Sequence, residues 1–263
     1  MDPNKLGRVK KFDYTIRFRP QTSDENVIGH SFENDIYLPV LKYIDFKKGD
    51  VVFDVGSHIG TFSLMLHQIT QRQLEIHCFE ASIDTYNILK LNVESNGLSN
   101  IKPHHVALTG DDVGTQKLFY DTEHGNWGHS VVHNFGGEFE EVKNVTFKDF
   151  IDFNNISNIK LIKFNCEGSE VGIVMKTPQE LLKKIDNIVL LYHFDLVEDY
   201  SLNDLKSKLR ESGLTFYDLK TELDRGWLVG TRNPTLKFNL SRLITVTYNR
   251  LGVLKRKIES LIK

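Results

Sequence analysis

The sequence predicts an α/β fold built on a doubly wound, mostly parallel seven-stranded sheet with an antiparallel edge strand. Apolar, β-branched runs alternate five times with stretches whose apolar residues recur at helical spacing. Residues 214–219 and 227–231 then form two further strands, which are expected to pair antiparallel at the sheet edge. Residues 114–145 have no helical period, which predicts a β-rich insertion after the third strand.

The length and composition suit one globular domain. We expect the 263 residues to form a single unit, with an N-terminal extension and lead-in helix (1–48), a catalytic core (49–231) and a basic amphipathic tail (232–263). The net charge of −2 provides no positive field for nucleic acid. No apolar run is long enough to span a membrane, and the two cysteines form no C-x-x-C pair, so a cytoplasmic protein is expected. A homo-oligomer is compatible with these values.

The N-terminal elements are the least regular in pattern. Up to residue 30 the chain is polar and is predicted to be irregular, except that apolar residues alternate from Phe12 to Phe18, which indicates an edge strand. Residues 33–44 carry apolar positions at helical spacing, which predicts a helix that Pro39 kinks.

The next stretch, Val51 to Gly60, is the most informative part of the chain. It reads as a buried strand that breaks at Gly56 and leads into a helix. Such a turn lies at the carboxyl end of its strand, where ligands of open α/β sheets bind. A dinucleotide fingerprint would have its central glycine where His58 stands, and the Asp54 carboxylate would repel a phosphate. Both features favour the cationic methyl donor S-adenosylmethionine over a nicotinamide dinucleotide, although an ordinary βα turn is the simpler alternative.

Polar residues follow three later strands of the predicted sheet. Residues 74–79 are followed by Glu80, a position from which a carboxylate accepts hydrogen bonds from ribose hydroxyls. Alternatively, the Glu80 carboxylate only stabilises the start of the next helix, which Ser82 would cap. Residues 159–164 deliver Asn165 and Glu167, and residues 187–192 deliver His193. Because these strands are expected to be parallel, their side chains would meet at one sheet edge.

Several helix starts and one loop complete the pattern. A helix is predicted from residue 169, a capping box at 177–180 predicts a short one, and Ser201 caps another that Gly213 ends. The loop at 123–130 is rich in functional groups, and loops on a rigid scaffold often contact substrates, although solvated loop residues are the commoner case. Its candidate substrate contacts are Trp127, His129 and Ser130.

Three segments together resemble the FkbM-type S-adenosylmethionine-dependent methyltransferases. They are Val-Phe-Asp-Val-Gly-Ser-His-Ile-Gly-Thr (52–61), Cys-Phe-Glu-Ala-Ser (78–82) and Lys-Phe-Asn-Cys-Glu-Gly-Ser-Glu (163–170), and the similarity covers residues 33–195. The resemblance implies a class I methyltransferase fold and O-methylation of hydroxyls on sugars and other metabolites. It also implies that Glu80 holds the cofactor ribose with Ser82 beside it. The methionine part would be lined by Asp54, Gly56, Ser57, His58 and Gly60, and the adenine would face Val106 and Ala107.

One position departs from the family pattern. The family segment resembles Lys-Ile-Asp-Val-Glu-Gly-Ala-Glu, and here its aspartate is Asn165. Since methylation of a hydroxyl needs a base, His193 is the first candidate and Glu167 the second. An amide binds a hard cation less well than a carboxylate, so no required metal is expected. The predicted activity is methyl transfer to a sugar or glycan hydroxyl; the alternatives are a cofactor-binding module without turnover and a nicotinamide-dependent oxidoreductase.

Overall fold

A computed structural model describes residues 5–33, 37–71, 73–110, 114–121, 128–222 and 224–233. The strands are β1 (Gly7–Lys11), β2 (Tyr14–Phe18), β3 (Val51–Val55), β4 (Glu75–Glu80), β5 (Ile101–His105), β6 (Ala107–Thr109), β7 (Gly114–Phe119), β8 (Phe139–Thr146), β9 (Leu161–Phe164), β10 (Asn187–His193), β11 (Thr215–Glu222) and β12 (Arg225–Thr231). The helices are α1 (Asp24–Phe32), α2 (Tyr37–Leu41), α3 (Thr61–Thr70), α4 (Ile83–Ser95), α5 (Phe147–Phe153), α6 (Ser169–Lys176), α7 (Gln179–Leu182) and α8 (Leu202–Glu211).

The central sheet has seven strands in the order β11-β12-β10-β9-β3-β4-β5. Strands β5, β4, β3, β9 and β10 pair in parallel, whereas β12 runs antiparallel between β10 and the edge strand β11. The predicted α/β fold is therefore confirmed, including the hairpin at one side of the sheet. The carboxyl ends of the parallel strands meet at one edge.

Two apolar layers cover the two faces of this sheet. Neighbouring residues on one strand point to opposite faces, so Val52 packs with the side of α1 to α4 while Phe53 packs with the side of α5 to α8. Both side chains are fully buried. Burial on both faces explains why the parallel strands read as continuous apolar runs rather than alternating ones.

The N-terminal region is more ordered than the sequence indicates. Strands β1 and β2 form a separate two-stranded sheet, and α1 follows where an irregular stretch was predicted. The predicted helix over 33–44 is also wrong in extent, because within the described residues only α2 is helical there. The hairpin docks on α4 through amides: Asn92 and Asn96 accept the backbone N–H groups of Arg17 and Thr15. These contacts join residues some eighty positions apart, so no local pattern reveals them.

The third predicted strand, residues 101–108, is split in two. Only β5 belongs to the central sheet, while β6 pairs with β8 in a three-stranded sheet that also holds β7. The predicted β-rich insertion is thus confirmed. Helix α5, which follows it, was not predicted; it begins where the Thr146 hydroxyl accepts a bond from Asp149 N.

Two capping predictions have different outcomes. Ser201 and Asp204 form the predicted capping box at α8. The box predicted at 177–180 does not form: α7 has no side-chain cap, and the Thr177 hydroxyl donates to the carbonyl of Ile173. The tail from residue 234 lies outside the described residues, and the division into three parts stays a prediction. Within the described part of the chain, no helix is long and apolar enough to cross a membrane.

A chain of hydrogen bonds joins β4 and β5 away from the cavity edge. The Glu75 carboxylate lies 2.8 Å from His77 Nε2, and His77 Nδ1 lies 3.0 Å from His104 Nε2. Because His77 Nε2–H donates to the Glu75 carboxylate, Nδ1 is left to accept from His104 Nε2–H. Burial lowers the pKa of both histidines, that of His104 to about 4. Both rings are therefore neutral at pH 7.

The hydrogen bonds among Glu75, His77 and His104 predict a pH-dependent stability. The unfolded state takes up protons as the pH falls below about 6.5, while folded His104 resists protonation until about pH 4, so the free energy of unfolding should fall across that interval. In His104→Phe, which keeps aromatic contact with Phe79 and Phe150, the acid-induced loss should shrink by roughly 1–2 kcal/mol. Urea unfolding at a series of pH values measures this loss. If the free energy of unfolding fell equally steeply with pH in both proteins, the low pKa of His104 would be contradicted.

Candidate active site

A cavity of about 330 Å³ opens at the carboxyl ends of the parallel strands. Its floor comes from the ends of β3, β4, β9 and β10, and its walls come from α1, α2 and the insertion. The volume lies within the range of small-molecule sites, roughly 300–1,000 Å³. This is the edge at which α/β sheets bind ligands, as the sequence predicts.

The turn after β3 is held on both sides by its neighbours. The N–H groups of Gly56 and Ser57 donate to the carbonyl of Phe79, at 3.1 and 3.0 Å. Gly56 has φ +71°, and a Cβ placed on it would lie 1.8 Å from the carbonyl oxygen of Asn165. Only glycine fits this approach, so the β3 turn and the end of β9 touch through backbone.

His58 lies in the same turn in a strained conformation. Its φ is +52°, which costs a non-glycine residue free energy and often marks a functional site. Burial lowers the pKa of His58 to about 4, against the opposing effect of Asp24, whose Oδ1 lies 3.5 Å from Nε2. Neither ring nitrogen has a hydrogen-bond partner in the described part of the chain, and the side chain lines the cavity. Asp24 itself is held by the Arg19 guanidinium at 2.8 Å.

Glu80 ends β4 as predicted and lines the cavity. Its two carboxylate oxygens accept the N–H groups of His58 and Ser82, at 2.8 and 3.0 Å. Burial raises the pKa of Glu80 to about 7, although these two hydrogen bonds favour the ionised form. One carboxylate therefore holds the glycine turn and the start of α4 in fixed relation.

Asp54 does not occupy the place that the sequence predicts for it. Its carboxylate is fully buried and outside the cavity lining, where it pairs with Lys163 Nζ at 3.0 Å and accepts the Ser63 hydroxyl at 2.8 Å. Lys163 also donates to the carbonyl of Gly56 at 2.7 Å. The negative charge expected to attract a cationic ligand is thus compensated from within the sheet. Sequence reasoning missed Lys163, whose only signal is a lysine inside an apolar strand.

His193 ends β10, is fully buried and lines the cavity. Its Nδ1 lies 3.0 Å from Glu170 Oε1, which also accepts the His193 backbone N–H. Burial alone would lower the pKa of His193, but the carboxylates of Glu170 and Glu167 outweigh it, so the pKa lies above its ordinary value of 6.5. Sequence reasoning missed Glu170, although it stands in the quoted segment. Glu170 fixes the ring so that Nε2 is the nitrogen left for a ligand.

Glu167 completes this charged group on the solvent side. Its Oε1 lies 3.5 Å from His193 Nε2 and its Oε2 lies 3.9 Å from an Arg225 nitrogen. Burial raises the pKa of Glu167, and His193 opposes that rise. Arg225 is held at 2.8 Å by Asp195. Carboxylates and cations thus alternate from the buried Glu170 to the exposed rim of the cavity.

The remaining predicted site residues divide into two groups. Asn165, His129, Val106 and Ala107 line the cavity together with the residues described above. Gly60, Ser82 and Ser130 lie outside the lining, and Trp127 lies outside the described residues. Gly60 begins α3 with φ +86°, and the buried Ser130 hydroxyl donates to the carbonyl of Glu167 at 2.7 Å. Within this geometry, Gly60 and Ser130 shape the turns that carry other site residues.

These observations define a class I, Rossmann-like methyltransferase. Numbered within the central sheet, the strands run 3-2-1-4-5-7-6 with the seventh antiparallel, and the glycine turn and Glu80 follow the first two strands. A family model, the methyltransferase FkbM domain, matches residues 54–213, more than half of the chain. The chain belongs to that family, as the sequence resemblance indicated.

The chain is also similar to individual proteins. The curated protein "Methyltransferase 1" of Beauveria bassiana (strain ARSEF 2860) is 25% identical over 165 residues, which cover 55% of this chain and 65% of that protein. The chain therefore spans about two thirds of that relative's length. The crystal structure of methyltransferase FkbM from Methylobacillus flagellatus KT matches 72% of this chain and 45% of its own, at 14% identity and TM-score 0.50, which supports the fold. A methyltransferase from Pyrococcus furiosus matches 84% of this chain and 90% of its own, at 13% identity and TM-score 0.44.

The contact at Gly56 predicts a large cost for a single methyl group. Gly56→Ala should lower the free energy of unfolding by about 3 kcal/mol or more, because the added Cβ forces β3 and β9 apart. Gly49→Ala is the matched control: Gly49 has φ +84° but no atom near its Cβ position, so only the conformational penalty of about 1 kcal/mol applies. Equal costs for the two variants, measured by urea unfolding, would contradict the backbone contact.

Proposed function

We propose that this protein transfers a methyl group from S-adenosylmethionine to a hydroxyl group on a sugar or glycan. The observation that carries the proposal is the buried Glu170–His193 pair, which presents one imidazole nitrogen to a cavity that also contains the glycine turn and Glu80. Bound S-adenosylmethionine supplies an electrophilic methyl group. The chain supplies the binding site, the orientation of the acceptor and a base for its proton.

The half of the cavity near β3 and β4 fits the donor. Gly56 lines the cavity without a side chain, and so does His58, whose two ring nitrogens have no hydrogen-bond partner among the described residues. The Glu80 carboxylate suits paired ribose hydroxyls. Val106 and Ala107 provide an apolar wall for a flat ring. In this arrangement Asp54 acts indirectly, since Lys163 neutralises it and both shape the turn.

The other half of the cavity fits an acceptor with hydroxyl groups. Tyr37 packs edge-on against Trp227, with ring centroids 5.3 Å apart, and both line the cavity. His193, Glu167 and Arg225 line it as well. A compartment with aromatic and charged sides suits a ring that has an apolar face and polar substituents, as a sugar has.

His193 is the base in this proposal. Its Nδ1 is engaged by Glu170, so Nε2 accepts the hydroxyl proton as the oxygen attacks the methyl carbon. The imidazolium that forms is stabilised by two carboxylates, Glu170 and Glu167. Glu167, nearer to solvent, is placed to pass the proton outward. Asn165 lies at the junction of the two halves and contacts substrate rather than removing a proton.

Donor binding is the first test of this function. Isothermal titration should show binding of S-adenosylmethionine, and Glu80→Gln should weaken it about 10- to 100-fold, because the amide cannot accept the same set of hydrogen bonds. Glu75→Gln is the matched control: it changes the opposite end of β4, outside the cavity lining, and should leave the affinity unchanged. An unchanged affinity of Glu80→Gln for S-adenosylmethionine, or no binding by the unaltered protein, would contradict the proposed donor site.

The pH dependence of methyl transfer tests the base. Neutral His193 is the active form, so the rate should fall as the pH drops through its raised pKa. Glu170→Gln removes the carboxylate that raises this pKa, which should move the acid limb to lower pH and reduce kcat about 100-fold through the misplaced ring. Glu198→Gln, an exposed change five residues beyond His193, should leave the limb in place. An acid limb that does not move in Glu170→Gln would exclude His193 as the base.

A further inference from the structure

The register of two neighbouring strands, β9 and β10, brings Asn165 and His193 onto one face of the sheet. Phe164 lies opposite Leu190, so Asn165 stands level with Leu191, and His193 is two residues further along β10. Side chains two residues apart on a strand share a face, and the α-carbons of Asn165 and His193 are on the order of 8 Å apart. Asn165, Leu191 and His193 all line the cavity, as does Trp227, which pairs with Leu191.

Two buried polar atoms on this face have no hydrogen-bond partner among the described residues. They are Oδ1 of Asn165 and Nε2 of His193. The 3.5 Å that separates Nε2 from Glu167 Oε1 is longer than an ordinary hydrogen bond. Leaving a buried polar atom unpaired is unfavourable, so two such atoms beside one cavity point to a ligand that pairs with both.

We infer that the acceptor is a vicinal diol, one hydroxyl of which is methylated at His193 while the neighbouring hydroxyl is held by Asn165. The inference rests on the proposed function and deepens it. A single hydroxyl would satisfy His193 and leave the Asn165 amide unpaired. Hydroxyls on adjacent carbons suit two polar groups that stand on the same face of neighbouring strands, and the ring carbons between them would lie against Leu191 and Trp227.

The methyl transfer balances with one hydroxyl proton. The reacting oxygen forms a bond to the methyl carbon, the bond from that carbon to sulfur breaks, and its electron pair remains on sulfur. The O–H bond breaks as its proton passes to His193 Nε2. The second hydroxyl is unchanged and remains bound to Asn165, whose neutral amide pairs with a hydroxyl as acceptor or donor.

Matched acceptors test the diol directly. The full chain is assayed with labelled S-adenosylmethionine on methyl hexopyranosides and on their monodeoxy counterparts, and binding is followed by saturation-transfer NMR in the presence of S-adenosylhomocysteine. Removing the hydroxyl adjacent to the methylated position should lower kcat/KM about 100-fold, whereas removing a distant one should change it only a few-fold. Asn165→Leu should bring the ratio between diol and monodeoxy acceptor close to one, while Asn165→Asp, which keeps an acceptor oxygen, should preserve the preference.

The outcomes separate this inference from the proposed function. Equal methylation of a diol and its monodeoxy counterpart overturns the inference and leaves methyl transfer to a hydroxyl standing. Preferential binding of the diol that Asn165→Leu abolishes supports the inference, and if no methyl is transferred to the bound diol, it is the proposed function that fails. A panel in which no diol is bound or methylated better than its counterpart overturns the inference.

Discussion

The buried pair of Asp54 and Lys163 is the interaction on which the rest of the site depends. The two residues lie opposite each other in the register of β3 and β9, so their side chains meet inside the sheet at 3.0 Å. Burying either charge alone would cost several kcal/mol, and the pair offsets that cost only because Lys163 also donates to the carbonyls of Val55 and Gly56. Those bonds hold the turn in the position that brings its backbone against Asn165. A substitution in this pair would therefore alter the position of both the Gly56 turn and Asn165.

The charge balance around His193 gives a physical reason for the amide at position 165. Glu170 and Glu167 already place two carboxylates near the ring, and Arg225 compensates only the outer one. An aspartate at position 165 would add a third negative charge to the same cavity and raise the pKa of His193 further. The asparagine supplies hydrogen bonding without that charge. The departure from the family pattern is thus consistent with a base that must lose its proton near neutral pH.

The sequence predicts features that depend on neighbouring residues and misses those that depend on distant ones. The apolar runs of the parallel strands, the Gly56 turn and the Ser201 cap all follow from local pattern, and the structure confirms them. Lys163 and Glu170 stand in a segment that was recognised, yet their partners Asp54 and His193 lie 109 and 23 positions away in the chain. Helix α1 was also missed; its Asp24 contacts Arg19, five positions away, and His58, thirty-four positions away. Only the folded sheet brings such pairs together.

The hydrogen bond from Ser130 to the carbonyl of Glu167 separates the support of the charged group from the shape of the cavity wall. Glu167 has φ +49°, so its backbone needs support from its surroundings, and the insertion supplies part of that support through one buried hydroxyl. Other described residues of the insertion, among them Leu118, His129 and Phe135, line the cavity. Substitutions elsewhere in the described part of the insertion would change the cavity wall, while this hydrogen bond would still hold the Glu167 backbone beside His193.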